Sequence, residues 1–196
     1  GAGPHFANYF QSCIDYSTFL CYNQYRKQTI VFGKQTLEEN MNLSDINPYL
    51  RFAQLQPAIV LGEITRAAYD YRLFYIADGT SVFVMGEKRI LVSRGDVLFF
   101  RPGTFYEFVG DVKIIVLNFD LTRGQSHRKQ PLAPAEQALF DPQGIVENDP
   151  PAELCEFIMT KNGFETEPLF QKCVLAYDFP SPYSDATASA AIKQIL

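Results

Sequence analysis

Between Ala58 and Asp120 the chain is a succession of short β-forming runs: AIVLGEI, YRLFYIA, SVFVMG, RILVS, DVLFF, FYEFV and VKIIVLNFD. Turn-forming residues separate them: Asp78-Gly79, Gly86-Glu87, Arg94-Gly95-Asp96, Pro102-Gly103 and Gly110-Asp111. Glycine reaches positive φ without a Cβ clash, and proline presets the first turn position. Six or seven short strands joined by tight turns require an antiparallel sandwich or barrel.

Composition sets the outer bounds. At 196 residues, 47% hydrophobic and 20% charged, the chain is long enough and apolar enough for one ordinary globular core. Aromatic residues make up 14%, with 17 Phe, 11 Tyr and no Trp, which suits strands and an aromatic-walled pocket. A net charge of −5 and no basic run argue against direct grip on a nucleic acid backbone. No stretch of about 18 apolar residues offers a membrane span, and the first residues lack the pattern of a signal peptide. Cys13, Cys21, Cys155 and Cys173 show no C-x-x-C spacing, so we expect reduced thiols and a cytoplasmic setting.

Outside the β region, Phe6, Tyr9, Phe10, Cys13, Ile14, Ser17, Leu20 and Cys21 fall at helical spacing and predict an N-terminal amphipathic helix. Residues 1–57 read as a helical or irregular segment packing on a barrel formed by residues 58–183. Near the C-terminus, Ser184 reads as an N-cap. It is followed by an apolar stripe at Ala188, Ala191, Ile192, Ile195 and Leu196. The stripe is still running where the sequence stops, which suggests a fragment of a longer chain.

The order and spacing of these elements resemble the cupin barrel that forms the N-terminal effector-binding domain of AraC-type transcriptional regulators. The matching features are Arg66 ahead of Asp70-Tyr71, the Asp78-Gly79 pair, the Gly86 hairpin, Gly95-Asp96, Pro102-Gly103 and Asn118-Phe119-Asp120. The resemblance covers residues 58–122 well. It implies a cupin-like double-stranded β-helix that binds a small-molecule effector. It also implies that residues 184–196 begin a linker or dimerisation helix, with DNA contacted only through a helix-turn-helix domain absent from this sequence.

Laid on the metal-binding cupin motifs, this chain has Tyr106 where a histidine ligand is expected and Arg101 at the motif's proline. Arg72 falls at the glutamate position, and the remaining histidine positions lie near Thr65 and Ala67. A metal centre needs imidazoles and carboxylates converging on the ion. The whole sequence holds two histidines, His5 and His127, so we expect no metal, no cofactor and no catalytic group. Hydrolase, phosphoryl-transfer and dinucleotide motifs are missing as well.

Strand alternation suggests the pocket. Arg72, Phe74 and Ile76 share one face, and Tyr71, Leu73 and Tyr75 the other. An inward Arg72 would stand beside Phe74, and Tyr106 and Phe108 would face inward together. Arg66 matches an arginine that contacts sugar in an arabinose-responsive family member, as the resemblance implies. Each arginine either contacts a ligand or pairs with an acid such as Asp70 or Glu107. The expected ligand-binding set is Arg66, Arg72, Phe74, Tyr106 and Phe108. Two functions remain open: a sugar-sensing regulator domain acting as a homodimer, or a free-standing, metal-independent cupin enzyme such as a sugar isomerase or epimerase.

Overall fold

The computed structural model describes residues 19–23, 27–32, 43–57, 64–129, 131–145, 150–151 and 154–196. Eleven strands occur among them: β1 (Phe19–Asn23), β2 (Lys27–Phe32), β3 (Tyr49–Pro57), β4 (Arg66–Ala67), β5 (Tyr71–Met85), β6 (Lys88–Ser93), β7 (Val97–Phe100), β8 (Phe105–Val109), β9 (Val112–Asp120), β10 (Ala135–Glu136) and β11 (Phe157–Thr160). Two helices follow, α1 (Glu167–Asp178) and α2 (Ser184–Ile195). The fold is mainly antiparallel β, as the runs and turns require. Every strand pairing is antiparallel.

β5 is the hub. The sequence reads as two strands separated by a turn at Asp78-Gly79, but they form one 15-residue strand with a register shift between Ile76 and Asp78. Its first half pairs with β7 and β9, and its second half with β6 and β8. Gly79 makes the bend possible. It sits at φ +85°, and a Cβ there would lie 2.6 Å from the Asp111 carbonyl oxygen. The sheet curls about this bend and gains an inside and an outside.

Alternation along β5 then divides the apolar residues into two cores. Tyr71, Leu73 and Tyr75 pack outward with Phe99, Leu117 and Phe119 against Phe170 and Cys173 of α1 and Ala188, Ala191 and Ile192 of α2. Phe74 and Ile76 pack inside the curl with Phe83, Phe100, Tyr106, Phe108, Val116 and Phe157. Each fully buried aromatic contributes roughly 1.5–3 kcal/mol by leaving water.

Three sequence expectations need correction. Part of residues 1–57, expected to be helical or irregular, joins the sheet: β1 pairs with β2, β2 with β11, and β3 with β9. Leu20 and Cys21, the end of the expected helix, are therefore strand residues, while its residues 6–18 lie outside the described part. Short apolar runs satisfy helical and extended periods alike, and here strand pairing decides. The expected run at 58–63 also lies outside. Ser184 begins α2 but does not cap it, because its hydroxyl accepts the Ser181 N–H at 2.7 Å. The stripe of α2, expected from the resemblance to begin a linker or dimerisation helix, is covered by this chain: Ala188, Ala191 and Ile192 are buried. Among the described residues no helix is long and apolar enough to cross a membrane.

Candidate functional site

A cavity of about 530 Å³ opens into the curl of the sheet. All five residues expected from alternation and the resemblance line it: Arg66 from β4, Arg72 and Phe74 from β5, and Tyr106 and Phe108 from β8. The pairing that places them is direct. Arg66 lies opposite Tyr106 across β4 and β8, and Arg72 opposite Asn118 across β5 and β9. Phe74 stands edge-on to Phe100 and Tyr106, at centroid distances of 4.9 and 5.8 Å, and tilted to Phe108 at 5.6 Å. Phe74, Tyr106 and Phe108 form the aromatic wall of the cavity.

The polar side is built around Arg72. Its Nε donates to Asp70 Oδ1 at 3.0 Å, and its terminal nitrogen donates to the Leu132 carbonyl at 2.5 Å. The Tyr106 phenol lies within hydrogen-bonding reach of the same guanidinium. Burial pushes the phenol above its usual range, although the Arg72 charge pulls the other way. Burial likewise lifts the Asp70 carboxyl to about 6 despite its arginine partner. Arg72 therefore fulfils the acid-pairing alternative with Asp70 while also lining the cavity. Arg66 is looser: among the described residues its nearest acid is Glu136, at 3.9 Å and half-exposed.

Sequence reasoning missed several lining residues: Phe52 and Gln56 of β3, Ile114, Val116 and Asn118 of β9, and Leu132, Ala133 and Pro134. The β9 trio was within reach, since positions 114, 116 and 118 share one face of a strand. Asn118 is fully buried; its Nδ2 donates to the Leu132 carbonyl at 2.9 Å. Nothing in the sequence signals residues 132–134, whose place depends on loop path alone.

Chemically, the cavity offers two guanidiniums, two carboxamides and a phenol to a small molecule, against mostly aromatic and aliphatic walls. Among the described residues, no three His, Cys, Asp or Glu side chains gather where they could hold a metal ion.

No known protein family matches this sequence, and no curated protein gives a significant match. Among solved structures, a lysine-to-alanine variant of apo ToxT from Vibrio cholerae strain SCE256 aligns at 12% identity with a TM-score of 0.45. The alignment covers 81% of this chain and 56% of that one, so this chain spans about half the length of that neighbour. Two tyrosine-to-phenylalanine variants of Streptomyces PAC13, both with uridine, align at 12% identity and TM-score 0.26, over 57% of this chain and 79% of theirs.

Proposed function

We propose that this chain is the effector-binding domain of an AraC-type transcriptional regulator, cupin-like in its barrel and acting in the cytoplasm. It is a binding module and not an enzyme. A helix-turn-helix domain elsewhere in such a regulator contacts the DNA. The observation that carries this reading is the convergence of Arg66, Arg72, Phe74, Tyr106 and Phe108, from three strands, on one cavity.

The ligand that fits is a sugar or sugar derivative. Its hydroxyls meet guanidinium, carboxamide and phenol groups, and its C–H face lies on the aromatic wall. Arg66 is the primary contact, because Arg72 already has an acid partner and, among the described residues, Arg66 has only a distant one. The polar set favours binding over turnover. Asp70, the carboxyl beside Arg72, is not among the residues that line the cavity.

The experiment is calorimetry with the first monosaccharide or sugar acid in a panel that raises the melting temperature. A hydrogen bond to a charged group is worth about 1.5–3 kcal/mol, so Arg66→Ala should weaken binding roughly 10- to 150-fold. Arg66→Lys should restore little, since an ammonium cannot reproduce a bidentate contact. Unchanged affinity in a folded Arg66→Ala protein would place the ligand elsewhere.

A further inference from the structure

The Leu132 carbonyl is an unusual lining group. It accepts from both Arg72, at 2.5 Å, and Asn118 Nδ2, at 2.9 Å, and both of those side chains are buried. Two donors on adjacent strands thus meet on one oxygen that belongs to neither strand. The oxygen sits on the segment Pro131–Pro134, which runs past the cavity into β10. Pro131, Leu132 and Ala133 are exposed, with the Leu132 residue 41% accessible, while the Leu132 carbonyl faces its two buried donors. Its two prolines carry no N–H. Among the described residues the Leu132 carbonyl is the one backbone group of this segment that is hydrogen-bonded.

A pair of buried donors converging on a point is an anchoring site for an acceptor oxygen, whatever molecule supplies it. Leaving either donor unsatisfied is costly, so the point stays filled. In this structure a backbone carbonyl of the chain fills it. We propose that residues 131–134 form a strap whose Leu132 carbonyl occupies the anchoring point of the cavity, and that an incoming ligand's own acceptor oxygen replaces it and releases the strap. This rests on the reading of the cavity as a ligand site and adds a consequence. Cavity occupancy and strap position become two sides of one exchange, giving the domain a mobile element that reports on the ligand. It also defines the ligand's anchoring group: a carboxylate, sulfonate, carbonyl or hydroxyl oxygen able to accept from a guanidinium and a carboxamide together.

The test follows the cavity and the strap by separate signals. Anilinonaphthalene sulfonate supplies an acceptor oxygen on an aromatic body. Its fluorescence reads cavity occupancy, and chymotryptic cleavage after Leu132, followed by mass spectrometry, reads release of the strap. In the wild type, saturating dye should speed cleavage at this bond at least about fivefold while leaving cleavage elsewhere in the chain unchanged. Asn118→Leu removes one donor at similar shape and should speed the same cleavage without dye. Pro134→Gly keeps both donors, loosens the strap and should act in the same direction if Asn118→Leu does not fold. Dye fluorescence that Arg66→Ala abolishes, with cleavage at the strap unmoved or slowed, would overturn the strap and leave the ligand cavity standing. No dye binding in the wild type or in Pro134→Gly would overturn both.

Discussion

Arg72 and Asp70 form an ion pair from which water is almost wholly excluded: Nε meets Oδ1 at 3.0 Å, with the side chains 5% and 0% accessible. Removing one partner from such a pair typically costs about 3–5 kcal/mol, because the other charge is left stranded. Here the stranded partner has an escape, since the Asp70 carboxyl is already lifted to about 6 by burial and can take up a proton. Arg72→Met should therefore cost several kcal/mol at pH 8 and clearly less at pH 5. Urea melts at the two pH values give the comparison, and an equal cost at both would mean that the carboxyl stays ionised.

The same carboxyl sets a slope of stability against pH. Asp70 titrates from 3.8 when unconstrained to about 6 in the fold, so between those values the folded chain holds a proton that the unfolded chain releases. Its stabilising contribution is fully present below about pH 4 and is lost as the pH rises through 6. The stability of the wild type relative to Asp70→Asn should fall across pH 4–6. A difference that rises over this window would show the Arg72 charge outweighing burial.

The bend in β5 gives a test that is independent of the cavity. Gly79 and Gly86 both have positive φ, at +85° and +58°, but a Cβ at Gly79 would press on the Asp111 carbonyl at 2.6 Å and one at Gly86 would meet open space. Gly86→Ala should cost about 1–2 kcal/mol, the left-handed backbone penalty alone. Gly79→Ala should cost clearly more, about 3 kcal/mol, because backbone must move as well. Thermal melts that rank the two the other way would remove Gly79 as the origin of the curl.

This bend also marks where the sequence was legible and where it was not. Alternation correctly divided Tyr71, Leu73 and Tyr75 from Phe74 and Ile76, because a strand's period of two is a backbone property. The same local reading took Asp78-Gly79 for a chain reversal, since a glycine at positive φ serves a turn and a bulge equally well. Only the different partners of the two halves of β5 distinguish the cases. Asn118 and Leu132 were missed for a related reason: their convergence with Arg72 spans 60 residues and depends on pairing and loop path. β1, β2 and β11 were likewise hidden, because each is short and is stabilised by its neighbours.

Cys173 offers a chemical probe of the outer core. Burial pushes its thiol up to about 12, and it packs between α1 and α2. The thiolate is the reactive form, so Cys173 should stay unmodified by iodoacetamide at pH 8 in the native protein and react once unfolded. Peptide mass mapping reads this residue separately from the other three cysteines. Rapid native labelling would mean that the helices open from the sheet.

The helical layer finally separates self-association from folding. The stripe of α2 is consumed within the chain: Ile192 is fully buried against the outer core, and Lys193 donates to the carbonyls of Ser44 and Ile46. Truncating it leaves a cavity, so Ile192→Ala should cost about 2–5 kcal/mol without altering the mass in solution. If the domain dimerises, as the resemblance to AraC-type regulators implies, a different surface must serve. The same helical layer leaves Leu175, Phe179 and Tyr183 exposed around the end of α1 and the start of α2. In a dimer that uses this surface, Phe179→Glu halves the sedimenting mass with little loss of stability, since Phe179 is 72% accessible. A dimer that survives Phe179→Glu but dissociates in Ile192→Ala would return the interface to the stripe of α2 and overturn this assignment.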